Sequence, residues 1–73
     1  MQTRHTTLST RKIAFQGSAY TDQWLGTRVV FTDYDGNRHL GTITRFADVF
    51  YPVADLDDGG WARLGKTIEV VDA

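Results

Sequence analysis

A chain of 73 residues, 41% apolar, with formal net charge -1 and no cysteine, has the composition of one small globular domain. It excludes disulfides and thiolate metal sites, and no stretch approaches the ~20 apolar residues of a membrane helix. A core this small gains from a partner subunit, so a monomer or homodimer is expected. No apolar run follows the basic N-terminal residues, so no signal peptide is expected and a cytoplasmic location is the default.

Residues 1–12 are rich in Thr and Ser, with Leu8 as the single large aliphatic after Met1, and read as a flexible arm. Residues 13–25 read in two ways. Ile13 and Phe15 alternate like a short leading strand followed by a turn, or the segment forms one helical turn over the end of a barrel. The assignment is an arm over residues 1–22 and a folded body over residues 23–73. Residues 27–34 are β-branched and aromatic and predict a strand. Asp35-Gly36-Asn37 is a hairpin turn, because glycine reaches positive φ without steric cost. Residues 39–46 return, with Gly41 marking a bulge or a close backbone approach. Residues 49–56 form a further strand, and Pro52 predicts that it is an edge or is broken there. Asp57-Asp58-Gly59-Gly60 is a second hairpin turn, followed by short strands at 61–64 and 67–71. Five short strands with turn chemistry between them predict an all-β fold, and no segment sustains the 3.6-residue period of a long helix.

Charge is split along the chain. All 9 acidic residues lie after position 21, whereas the arm carries Arg4, Arg11 and Lys12. A positive arm on an acidic body leaves nucleic-acid binding through the arm as an alternative function, with the sign of the body against it.

Gly26-Thr27-Arg28-Val29-Val30, Asp35-Gly36, Gly41-Thr42-Ile43, Tyr51-Pro52-Val53, Leu56-Asp57-Asp58-Gly59 and Ile68-Glu69-Val70 together form a pattern of turns and core positions. From Gly26 to Asp72 this pattern resembles small SH3-like barrels of the KOW and Tudor kind, as in small bacterial and phage accessory proteins. The resemblance implies a five-stranded SH3-like small barrel. Relatives of this kind bind peptides on aromatic grooves, or methylated Lys and Arg in aromatic cages. The architecture is also similar to type II dihydrofolate reductase, an oligomeric enzyme built around a pore. The Val-Gln-Ile-Tyr strand of that family has no counterpart at residues 61–64 or 67–70, so no catalytic residue carries over.

Aromatic residues are abundant for so small a body, and strand alternation cannot turn all of them inward. Tyr34, Tyr51, Trp61 and Trp24 are the candidate partner-binding residues, with Tyr34, Tyr51 and Trp61 near Asp55 or Asp57 as a possible cage. Arg28, Arg38 and Arg45 are candidate contacts for phosphate or an acidic partner. Arg38 and Arg45 are seven positions apart, so they share a face only if a bulge, expected at Gly41, intervenes. The bland alternative pairs these arginines with Asp33 or Asp35 across the first turn. His39 and Asp33 are positioned to pair across the same hairpin. Asp55, Asp57 and Asp58 read as turn chemistry rather than a cation site, so neither metal nor cofactor is expected. No nucleophile and base stand together, and the expected function is non-enzymatic: a protein-interaction module.

Overall fold

The hairpin signals fold as their chemistry requires. In the computed structural model, which describes residues 8–15 and 21–72, Gly36 turns the chain at φ 85° and Gly59 and Gly60 at 101° and 83°. The Asp33 carboxylate accepts the backbone N–H groups of Asp35 and Asn37, both at 2.9 Å, and so braces the first turn.

Around these turns run six strands: β1 (Thr10–Ala14), β2 (Arg28–Thr32), β3 (Arg38–Asp48), β4 (Tyr51–Leu56), β5 (Trp61–Arg63) and β6 (Thr67–Val71). They form one antiparallel sheet in the order β1-β6-β2-β3-β4-β5. β2 to β5 are a meander, and β6 returns to lie beside β2. The fold is all-β, with a 3₁₀ turn at Thr21–Trp24.

Three expectations change. Among the described residues there are six strands rather than five, and their sheet is open between β1 and β5 rather than a closed barrel. The added strand is β1, which pairs with β6 from Thr10↔Val71 to Ala14↔Thr67. Its backbone finds partners on an edge 53 to 61 residues away, a contact that local propensity does not encode. Of the two readings of residues 13–25, the leading strand is present as β1, and a helical turn is present at Thr21–Trp24, without the barrel end it was expected to cover. The flexible arm concerns residues 1–7 in part, and these and residues 16–20 lie outside the described residues.

Second, β4 is neither an edge nor broken: it lies between β3 and β5, and Pro52 is fully buried within it. The ladder slips by one residue between Phe46↔Pro52 and Asp48↔Tyr51, so the proline lies beside a bulge, where its missing N–H is tolerated. Its carbonyl still accepts the N–H of Leu64 at 2.7 Å.

Third, Gly41 is not the bulge. It pairs regularly with Val29 and Leu56. A Cβ there would lie 2.9 Å from the Asp55 carbonyl oxygen, so glycine is needed for close approach. The bulge falls at Thr44, between the pairs Ile43↔Ala54 and Arg45↔Val53.

The concave face of the sheet carries the core. Val29, Ile43, Ala54, Leu64, Ile68 and Val70 cluster with Phe15, and Ile13, Trp24, Phe31 and Phe46 close its ends. Strand alternation supplies this face: Ala54 pairs with both Ile43 and Ala62, and Val29 with Val70. Phe15 reaches from the end of β1 onto Phe46 at 5.5 Å between centroids, and Trp24 stands edge-on to Phe15 at 5.4 Å. The segment before β2 thus belongs to the core, although the signals for the fold begin only at Gly26.

Candidate functional site at the β4–β5 edge

The convex face of the same strands holds a different chemistry. The bulge at Thr44 moves Arg45 onto the side of β3 that faces out. Arg45, Val53 and Arg63 then form one cross-strand row, and Thr42, Asp55 and Trp61 form the next. Val53 points outward yet is only 4% exposed. Its cross-strand neighbours are Arg45 and Arg63; long side chains of this kind can lay their stems over an apolar neighbour while their charged heads stay in water. Arg45, Ala47, Val53, Trp61 and Arg63 enclose an open depression of ≈ 490 Å³.

Three cations here stand over three aromatic rings. The Arg45 guanidinium lies 5.7 Å from the Trp61 ring centre, Arg63 lies 5.0 Å from Tyr51, and Lys66 Nζ lies 5.4 Å from Phe50. Such pairs occur roughly once per 70–80 residues, so three on one edge of a small sheet is a concentration. Arg45 also donates to Asp55 at 3.2 Å. Among the described residues, Arg63 and Lys66 have no carboxylate within salt-bridge distance. Trp61 is 63% exposed, and Phe50 and Val49 in the β3–β4 turn are also open to solvent.

The candidate residues divide. Tyr51 and Trp61 share this outward face but stand at opposite ends of β4, Trp61 beside Asp55 and Tyr51 beside Asp48. Tyr34 is fully exposed at the tip of the β2–β3 turn, whereas Tyr51 pairs with Asp48 at the other end of β3, so the three do not form a cage. Trp24 is half-buried against Phe15 and lines a separate depression with Arg11, Ile13 and Thr27. Arg28, Arg38 and Arg45 do share the convex face, as a bulge requires, but they are not one cluster. Arg28 makes a bidentate pair with Asp57 at 2.6 and 2.8 Å and donates to Thr42. Arg38 donates to Glu69 at 3.2 Å, which also accepts from Thr10. Their partners are Asp57, Glu69 and Asp55 instead of Asp33 or Asp35, because register across the sheet outweighs proximity along the chain. Bonding to Arg28 holds the Asp57 carboxyl below its ordinary pKa and raises that of the guanidinium.

Arg63 and Lys66 are the functional candidates that the sequence reading missed. The signal for Arg63 was available: alternation in the short strand after Gly60 puts residues 61 and 63 on one face, opposite the buried Ala62.

Asp55, Asp57 and Asp58 do not converge, since each bonds to a different cation, and the described residues contain no cluster of three His, Asp or Glu arranged for a metal. Among the described residues, no helix is long and apolar enough to cross a membrane. The chain matches no family model, and neither a curated protein nor a solved structure resembles it significantly.

Proposed function

We propose that this chain is a non-enzymatic interaction module that binds an acidic segment of a protein partner along the β4–β5 edge. The observation that carries the reading is the strip of Phe50, Tyr51 and Trp61 with Lys66, Arg63 and Arg45 over their rings. Exposed aromatics with arginine are the side chains that most often dominate binding energy at protein interfaces. The strip is locally positive on a chain whose formal net charge is -1, which favours an acidic partner and disfavours self-association through this face. The depression lined by Ala47 and the exposed Trp61 ring offers an apolar surface, and β5 is the last strand of the sheet on this side.

The fold is read as an SH3-like small β fold with an added N-terminal strand. The support is the order of β2 to β6, a four-strand meander whose fifth strand returns beside the first, wrapped around one core.

The test is a titration of ¹⁵N-labelled full-length chain with a Glu- and Asp-rich peptide containing one aromatic residue, beside its neutral analogue and an oligothymidylate. The expected result is saturable shifts at Tyr51, Trp61 and Arg63 with the acidic peptide, and a loss of at least about tenfold in affinity for R63E. Shifts confined to other faces, or no binding at low salt, overturn the reading. Oligothymidylate binding that weakens steeply with salt replaces it by single-strand binding.

A further inference from the structure

On the opposite side of the β4–β5 turn, His39 stands between two carboxylates. Its Nε2 lies 2.9 Å from Asp33 Oδ2, and its Nδ1 lies 2.8 Å from Asp58 Oδ2. A neutral imidazole has one N–H and can donate to only one of them, while its other nitrogen turns a lone pair toward a carboxylate oxygen. Only the imidazolium satisfies both contacts. We infer that His39 is a proton-controlled clasp joining the β2–β3 turn to the β4–β5 turn, closed as the imidazolium and opened at Asp58 when the ring loses a proton.

The two carboxylates are held unequally. Asp33 also accepts two backbone N–H groups within its own turn and has a side chain 27% exposed. Asp58 is 61% exposed, and the ring is its single side-chain partner among the described residues. Asp58 is therefore the one that lets go. Its neighbour Asp57 is fixed independently by Arg28 and by its own N–H, which donates to the Leu40 carbonyl at 2.8 Å. Opening is thus confined to Asp58 and the turn it sits in, where Gly59 and Gly60 are held by Leu56, the Gly59 N–H donating to its carbonyl at 3.1 Å and the Gly60 carbonyl accepting its N–H at 3.0 Å, and it ends at Trp61.

The surroundings favour the closed state. From β2, the ring that faces His39 is Phe31, at 6.2 Å between centroids. Asp33 faces it from the first turn and Asp58 from the second, while Arg38, next to it in β3, turns away to Glu69. Bonds to Asp33 first and Asp58 second raise the imidazole pKa, and the bond to His39 leads the causes that lower that of Asp33. Because the two carboxylates sit against opposite ring nitrogens, the group is not arranged to share a cation. The inference is independent of the binding reading, although the hinge leads into the strand that presents Trp61.

An NMR pH titration of the full chain from pH 4.5 to 9 tests it. The His39 ring, assigned by its absence in H39Q, is expected to titrate above the ordinary histidine value of about 6.5. The backbone amides of Asp58 to Trp61 should move with the same midpoint. H39Q should remove that shared transition, and D58N should remove it at residues 58–61 while keeping a His39 transition at Asp33. A His39 midpoint at or below about 6.5, or amide shifts at residues 58–61 that persist unchanged in H39Q, overturns the clasp.

Discussion

The two faces of β3, β4 and β5 are built from the same strands and bury side chains in different ways. On the concave side, Ile43, Ala54 and Leu64 are buried by other strands of the sheet and by Phe15, which arrives from beyond β1. On the convex side, Val53 is buried as deeply, but the side chains that flank it are the long, partly exposed ones of Arg45, Trp61 and Arg63. The first kind of burial is rigid, because removing an atom leaves a hole that the backbone cannot close. The second is compliant, because long surface side chains can settle into the space. The core face therefore sets stability, and the convex face leaves its residues available for contact.

The largest expected effect separates the faces. I43A should lower unfolding free energy by about 2–5 kcal/mol, a large part of what a domain of this size possesses, read as a shifted midpoint in urea denaturation. V53A, at similar burial, should cost only about 1 kcal/mol; a loss equal to that of I43A would show that the two kinds of cover are equivalent. Close approach on the core side can be probed from the other direction. G41A places a methyl group against the Asp55 carbonyl at 2.9 Å and Leu56 Cδ2 at 3.0 Å, and should destabilise by about 1–3 kcal/mol in the same assay.

The smallest effect on stability should come from W61A, below about 1 kcal/mol, since an exposed cation–π pair contributes about 0.5–1 kcal/mol. The same substitution should abolish the peptide-induced shifts described above, so that stability and binding separate on this face.

His39 adds a dependence on pH that neither apolar face has. Its folded-state pKa is raised, so its stabilisation is fully present below the unfolded value and disappears as pH rises through the folded one. The pKa of Asp33 is lowered, so its contribution is present above its unfolded value and is lost as pH falls through the folded one. The difference in melting temperature between the wild type and H39Q should therefore be greatest in the window between the ordinary Asp and His values and shrink on the alkaline side. Thermal melts at pH 5.5 and pH 9 check this, and a difference that grows at pH 9 contradicts the assignment. Arg28, a permanent cation bonded to the adjacent Asp57, is the internal control: R28Q should change the melting temperature without that alkaline dependence.

What was legible in the sequence is what short-range chemistry decides. The Asp-Gly turns fix both hairpins, because few residues accept the positive φ that such turns need. The β-branched and aromatic runs around Val29, Ile43 and Ile68 mark strands, because such side chains suit a pleated, half-buried surface. The pairing of His39 with Asp33 follows from the same hairpin. Tertiary structure alone decided the rest. It brought β1 to β6, allowed Pro52 inside the sheet beside a register slip, and put the bulge at Thr44 instead of Gly41. It also chose Asp57, Glu69 and Asp55 as the partners of Arg28, Arg38 and Arg45, and set Asp58 against His39. Each of these depends on which strands become neighbours and in what register. That choice is made by burying one shared core, which no window of a few residues contains.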